Sequence, residues 1–196
     1  MNKEKKQNKS TASAVVREWV ESIVIAFVLA MFIRTFFIQA FKIPSGSMRM
    51  TLIEGDRLMV NKLVYGPKVP FTSKRLPGYG KMHRGDIIVY IYPGDQTRDF
   101  IKRLIAFGGE TVTIRDGDIY IDGKLVEDPD IKNRIYYTRG PYGDKPYTVP
   151  KGNLFVLGDN SASSNDSRFW GPVPIQNVIG KAEVIYWPIK RMRMLE

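Results

Sequence analysis

A serine-containing turn lies near the start of the chain, after an apolar segment. The turn, Ile43–Leu52, reads IPSGSMRMTL and carries Ser45 and Ser47. Pro44 and Gly46 can fix a bend that presents a hydroxyl group. A serine presented in this way becomes a nucleophile if a neighbouring base removes its proton. Composition alone favours a plainer interpretation, in which the segment is a linker.

A lysine lies within a run of apolar residues that has the composition of a β-strand. In Asp99–Ile105 (DFIKRLI), alternation puts Lys102 and Arg103 on opposite faces and does not decide which residue faces the core. A lysine facing the core would be desolvated and its pKa would fall; to act as a base it requires a shift of about three units, from about 10.4 to near 7. A neutral amine can take a proton from serine. A solvated lysine on an exposed face is the simpler alternative.

A polar segment rich in serine follows a third strand-like run. Leu157–Pro174 reads LGDNSASSNDSRFWGPVP and places four serines close to Asp159, Asp166 and Arg168. Such a segment is either a long surface loop or a loop on which a site is built, since functional residues are common on loops held by a rigid scaffold.

Composition excludes several kinds of site. The 196 residues include no cysteine and one histidine, His83, so a cysteine nucleophile, a thiolate metal site and a two-histidine metal site cannot form within one chain. A Ser-His-Asp triad would have to use His83, which lies in the basic turn KMHRGD and reads as a solvated loop residue. We expect no metal and no cofactor. The net charge of +10 is compatible with nucleic acid or an anionic membrane surface.

The N-terminal region predicts a membrane anchor. A basic tail (1–18) precedes 20 positions from Trp19 to Ile38, which is about the length that spans a bilayer, with Glu21 and Arg34 near the two ends. The lysine-rich tail favours the cytoplasm. We therefore predict a tail at 1–18, a transmembrane helix at 19–40 and an extracytoplasmic domain at 41–196. The alternatives are a buried core helix and a cleaved signal peptide, although Ile38-Gln39-Ala40 has a bulky residue where cleavage requires a small one.

Beyond residue 43, short runs of β-branched and aromatic residues alternate with Gly, Pro and Asp. The runs are 57–64, 86–92, 100–107, 111–115, 118–121, 153–157 and 178–187. Asp116-Gly117 predicts the turn of a hairpin, and Asp122-Gly123 predicts the next turn. The pattern indicates a mostly β, partly barrel-like antiparallel domain.

Together, and in this order, these segments resemble the bacterial type I signal peptidases. The resemblance covers nearly the whole chain: tail, anchor, serine turn, Gly85–Val89 (GDIIV), lysine run and polar segment. It implies that Ser47, followed by Met48, is the nucleophile, and that Lys102 is the general base that later protonates the leaving amine. It also implies that the Ser45 hydroxyl and the Ser47 backbone N–H form an oxyanion hole.

The resemblance implies supporting roles in the polar segment. Ser164 would hydrogen-bond to Lys102 and orient it. Asp166 and Arg168 would form an ion pair that holds the site, and Asp159 is the acidic residue of the same segment. Shallow pockets near Met48 would accept only small side chains, giving an Ala-X-Ala preference.

The same resemblance implies the cellular setting. The substrates would be exported preproteins, cut while bound as extended strands. The enzyme would be a single-pass membrane protein with a cytoplasmic N-terminus, an outer catalytic domain and no nucleic-acid partner. We expect it to work beside the secretion translocon.

The sequence departs from the family pattern at three places. Met50 stands where the family usually has proline, Ser161-Ala162-Ser163 replaces a usually charged run, and Phe107–Glu110 replaces a Pro-Gly-Asp type of ending. These departures affect the expected loop shapes and the details of specificity.

Two other functions fit part of the pattern. A Ser–Lys autoprotease fused to a DNA-binding repressor would use the same chemistry, but the N-terminal region lacks a helix-turn-helix pattern. A membrane-tethered β-domain that binds polyanions or cell-wall polymer without catalysis is compatible with the charge and the aromatic residues.

Overall fold

A long helix opens the computed structural model, which describes residues 2–70, 72 and 74–195. Helix α1 spans Asn2–Phe36, and its apolar part, Ser13–Phe36, has 24 residues and is 0% buried within the protein. At 1.5 Å per residue it is about 36 Å long, which is enough to cross a hydrocarbon core of about 30 Å. Exposed side chains such as Trp19 and Phe27 argue against a buried core helix.

The helix boundaries differ from the predicted tail at 1–18 and transmembrane helix at 19–40. Helix α1 begins at Asn2, so residues of the basic tail are helical, as expected for a segment rich in Lys, Glu, Gln and Ala. It ends at Phe36 because Ile38–Lys42 forms strand β1. The backbone of β1 pairs with a neighbouring strand, and this pairing replaces further helical hydrogen bonds.

The remaining elements are mostly β-strands. They are β2 (Arg57–Asn61), β3 (Ile87–Ile91), β4 (Asp99–Phe107), β5 (Thr111–Arg115), β6 (Asp118–Ile121), β7 (Lys124–Leu125), α2 (Pro129–Lys132), β8 (Tyr147–Thr148), β9 (Asn153–Leu157), α3 (Ser167–Trp170), β10 (Val173–Pro174), β11 (Val178–Trp187) and β12 (Arg193–Met194). Within the described residues one sheet has eight strands, in the order β1-β2-β11-β3-β4-β9-β10, with β12 paired to β11. The order of a second sheet is β7-β6-β5-β8.

The larger sheet curls because its strands carry irregularities. Strand β11 lies between β2 and β3 and shifts register at Val178/Gly180, Ala182/Val184 and Ile185/Trp187. Bulges of this kind bend a strand and increase its twist. The expected fold, a mostly β, partly barrel-like antiparallel domain after one apolar helix, is confirmed.

The predicted hairpin is also confirmed. The pairing of β5 with β6 extends as far as Arg115 and Asp118. The two residues of the turn between them have positive φ, 54° at Asp116 and 91° at Gly117. Two consecutive left-handed residues are what a two-residue hairpin turn requires, and Asp-Gly suits them. Asp122-Gly123 repeats the pattern before β7.

Strand β4 is covered on both faces. On one face Leu104 packs in a cluster with Ile88 and Val156, and on the other Ile105 packs with Val112 in the layer between the two sheets. A polar side chain on either face of β4 between Lys102 and Ala106 is therefore removed from water. This coverage determines the environment of the lysine run.

The close approach of β11 to β2 requires a glycine at position 180. A β-carbon on Gly180 would collide with the backbone oxygen of Asn61 and lie 3.0 Å from Val60 Cγ1. We expect Gly180→Ala to lower the free energy of unfolding by about 1–3 kcal/mol, because strand backbones must separate to admit the methyl group. Denaturant unfolding of the detergent-solubilised protein measures the difference in unfolding free energy between wild type and variant. Gly80→Ala is the control, since the nearest atom there is a Val64 side-chain carbon. Equal stability of the two variants would contradict this prediction.

Candidate active site

The serine turn becomes a short 3-10 helix, Gly46–Met48, that follows extended backbone at Ser45. The Met48 side chain is fully buried and packs with Leu52 and Leu58 in a core cluster. Burial of a methionine contributes on the order of 1.5–3 kcal/mol. Met48 therefore anchors the turn, and Ser47 beside it lies half-buried at the surface of the domain.

The polar segment holds this turn from the other side. The Asn160 backbone N–H donates to Ser47 O at 3.0 Å, and its side-chain amide donates to Gly46 O at 2.9 Å. Gly158 lets the two loops approach, since a β-carbon there would lie 2.5 Å from Ser47 O and would collide with Ser164 Oγ. Neither Asn160 nor Gly158 is assigned a role by the sequence pattern. Their only sequence signal was membership of the polar segment.

Lys102 reaches the same point from strand β4. Its Nζ lies 2.9 Å from Ser47 Oγ and 2.9 Å from Ile101 O, and 5.4 Å from the centre of the Phe100 ring. The residue is 4% exposed. Burial lowers the pKa of Lys102 from 10.5 to about 8, although the negative charges of Asp166 and Asp159 oppose the shift. A substantial fraction of this amine is therefore neutral near physiological pH.

Ser164 lies in the site but does not make the expected bond. Its Oγ is buried and has no hydrogen-bond partner among the described residues, so the expected hydrogen bond to Lys102 is not formed. The ammonium donates instead to Ile101 O, the carbonyl of its own strand. Ser164 packs with Gly158 beneath the Ser47 turn.

Asp166 and Arg168 form a fully buried ion pair. The Asp166 carboxylate accepts from Arg168 Nε at 2.8 Å and Nη2 at 2.9 Å, and also from the Gly158 backbone N–H at 3.0 Å. Arg168 Nη1 donates to Ser161 Oγ at 2.6 Å and to Tyr137 O at 2.9 Å. These bonds satisfy both charges and fix the shape of the polar segment, since a buried charge without partners would be costly.

A second buried ion pair joins the polar segment to β4. Asp159 accepts from Arg103 Nε and Nη2, both at 2.8 Å, and from the Thr51 hydroxyl, and Arg134 Nε lies 3.3 Å away. Neither Arg103, which is 0% exposed, nor Arg134 was identified from the sequence. Alternation suggested that one of Lys102 and Arg103 faces outward, but both are buried because both faces of β4 are covered.

Comparison with known proteins assigns the chain to a family. A model of the signal peptidase family, peptidase S26, matches residues 16–187. The chain belongs to this family. It is 39% identical to a signal peptidase I of Leptolyngbya laminosa, over 92% of this chain and 84% of that protein. It is 36% identical to signal peptidase I T of Bacillus subtilis, over 98% of this chain and 95% of that protein.

A third relative has a lower identity to this chain than the other two. The chain is 31% identical to a signal peptidase I of Pseudomonas aeruginosa, over 91% of this chain and 75% of that protein. These matches confirm the resemblance found in the sequence. The protein is thus a peptidase of the signal peptidase family, and its apolar N-terminal helix is consistent with membrane anchoring.

The turn after Met48 contains a residue with positive φ. Met50, which the resemblance places where signal peptidases usually have proline, has φ of 93°. Proline is restricted to φ near −65°, so it could not adopt this backbone.

In this member of the signal peptidase family, a groove of about 570 Å³ opens in front of Ser47 and Lys102. Ser45 is exposed in its wall, together with Pro44 and the start of β4. Met48 does not line the groove, contrary to the expectation of substrate pockets near this residue, because its side chain is directed into the core. Among the residues that the structure describes, no three His, Cys, Asp or Glu side chains are grouped as metal ligands.

The buried lysine should cost stability, with a definite pH dependence. Because the folded-state pKa is lowered from 10.5 to about 8, the cost is fully present below pH 8 and disappears as the pH rises toward 10.5. We expect Lys102→Met to be more stable at neutral pH, by roughly 3 kcal/mol at most. Denaturant unfolding as a function of pH measures this difference.

Lys151→Met is the control for this measurement, because Lys151 is an exposed lysine. Its unfolding free energy should follow that of the wild type at every pH. A Lys102→Met protein that is less stable than wild type at pH 7, or an advantage that does not shrink at alkaline pH, would contradict the assignment of a costly buried amine.

Proposed function

We propose that this protein is a serine endopeptidase that removes signal peptides from exported preproteins after Ala-X-Ala sites. Ser47 is the nucleophile and neutral Lys102 is the general base. The observation that carries the proposal is the 2.9 Å contact between Ser47 Oγ and a buried amine whose pKa is lowered to about 8. Membership of the signal peptidase family supports the choice of substrate.

The reaction follows from these two groups. The Ser47 hydroxyl donates its proton to the lone pair of Lys102 Nζ while Oγ attacks the scissile carbonyl carbon. The resulting ammonium then protonates the leaving amine, and an acyl-enzyme ester remains on Ser47. Water attacks this ester as Lys102 accepts one of its protons, and the resulting ammonium returns that proton to Ser47 Oγ when the ester bond breaks and the cleaved chain is released.

The oxyanion of each tetrahedral intermediate needs hydrogen-bond donors. We assign this role to the Ser47 backbone N–H and to the hydroxyl of Ser45, which is exposed in the groove. Each such donor typically contributes on the order of 10²–10³-fold to the rate. The buried pairs Asp166–Arg168 and Asp159–Arg103 support the reaction indirectly, by fixing the loop that holds Ser47.

The substrate is proposed to bind as an extended strand. Strand β9 pairs with β4 only from Arg103 onward, which leaves the backbone edge of Asp99–Lys102 available beside the groove. The extended backbone at Ser45 also lines the groove. Backbone hydrogen bonds to either segment would add the substrate as a further strand.

The proposed setting is the outer face of the cell membrane. Lysines at 3, 5, 6 and 9 precede the apolar helix and favour a cytoplasmic N-terminus. The β domain then lies outside, beside the secretion translocon from which preproteins emerge. The bilayer is the second partner of the protein.

The first test is cleavage of a preprotein with an Ala-X-Ala site by detergent-solubilised protein, with the products identified by mass. We expect the wild type to cut after the second alanine and both Ser47→Ala and Lys102→Ala to lose about 10⁴-fold or more in rate. Ser163→Ala, an exposed serine of the same groove, is the matched control and should stay active. Near wild-type turnover by either dyad variant would exclude the mechanism.

The pH profile provides a second test. Only the neutral amine acts as a base, so kcat/KM should rise about tenfold per pH unit below the pKa of Lys102 and level off above about 8. Initial rates on a peptide substrate between mildly acidic and alkaline pH measure this. A flat profile across that range would argue against a lysine base.

A further inference from the structure

A second cavity lies where helix α1 meets the β domain. We call it the junction pocket; its volume is about 470 Å³. Its charged lining residues are Arg34, Lys62, Lys68 and Asp99, and its apolar lining residues include Met31 and Ile179. It is lined by the last turns of α1 and by the ends of strands of the larger sheet, so both parts of the protein contribute to it.

The junction pocket carries excess positive charge. Three cationic side chains face one carboxylate, Asp99, and none of the three lies within 4.0 Å of a carboxylate in the described part of the chain. Lys62 is engaged by the helix end, donating to Arg34 O at 2.9 Å and Thr35 O at 3.3 Å. Arg34 and Lys68 therefore have no acidic partner among the described residues.

The positive charges in and beside the junction pocket repel one another, and this repulsion lowers the pKa values of its lysines. Burial lowers the pKa of Lys62, and the positive charge of Arg34 lowers it further. The pKa of Lys68 is lowered by burial and by the charge of Arg75. An anion in the junction pocket would relieve this repulsion.

The location indicates which kind of anion would fit the junction pocket. Arg34 lies in the last turn of the apolar stretch Ser13–Phe36, so the junction pocket lies at the level where a bilayer has its headgroups. Apolar side chains and cations in the same lining match a lipid that joins acyl chains to a phosphate. We propose that the junction pocket binds the phosphate of an anionic phospholipid, with Arg34 and Lys68 as its principal contacts.

Lipid bound there would connect the helix to the β domain. Asp99 lines both the junction pocket and the groove in front of Ser47, so the lipid would lie next to the substrate groove. Binding itself does not depend on the proposed peptidase mechanism. Lipid binding can therefore be measured without an activity assay.

The test uses the full-length protein in a nonionic detergent, titrated with phosphatidylglycerol, with bound lipid counted by native mass spectrometry. Phosphatidylcholine with the same acyl chains is the zwitterionic comparison. We expect one tightly bound phosphatidylglycerol, and Arg34→Gln and Lys68→Gln should each weaken binding by about fivefold. Asp99→Asn should strengthen it, because it removes the carboxylate of the pocket.

Lys151→Gln, an exposed lysine elsewhere on the domain, is the matched control and should bind like the wild type. Thermal unfolding of each variant checks that the fold is retained. Equal loss in Lys151→Gln would indicate diffuse attraction and overturn the proposal, as would unchanged binding in both Arg34→Gln and Lys68→Gln or equal binding of phosphatidylcholine. Displacement of the lipid by inorganic phosphate at the same concentration would reassign the pocket to a free anion.

Discussion

The removal of one amine from water is the condition on which the site depends. Lys102 is 4% exposed, and desolvation lowers its pKa to about 8. Without this shift the amine would be protonated at neutral pH and could not accept a proton from Ser47. A buried lysine costs stability, and the surrounding structure tolerates that cost because each neighbouring charge has its own partner.

The fold creates this environment in two ways: it buries Lys102 in strand β4, and it holds the Ser47 turn in place. Strand β4 is buried on both faces from Lys102 to Ala106, so Lys102 is desolvated wherever alternation directs it. Asn160 holds the carbonyls on either side of the nucleophile, and Met48 anchors the turn in the core. Two buried ion pairs then fix the polar segment without placing a carboxylate directly on the amine. The result is a rigid contact of 2.9 Å between the two reactive groups.

Sequence patterns within a few residues predicted the strands and turns that depend only on neighbouring residues. Strands 111–115, 118–121, 153–157 and 178–187 and the Asp116-Gly117 turn agree with the structure, since their signals lie within a few residues. The helix end at Phe36 was missed because strand pairing, a long-range interaction, determines it. The burial of Arg103 was not predicted, because the alternation rule assumes a sheet with one exposed face. The Ser164 bond and the Met48 pocket were expected from the family alone; in the described residues Ser164 Oγ has no hydrogen-bond partner, and the Met48 side chain is buried in the core.

The most direct measurement is the titration of the Lys102 ε-amine by NMR, in protein with isotopically labelled lysine in detergent micelles. The Lys102→Met spectrum assigns the resonance by its absence. The account predicts an inflection at about pH 8, well below that of exposed lysines such as Lys151. An inflection near the ordinary value of about 10.4 would show that the amine stays charged at neutral pH, and would contradict its role as a base.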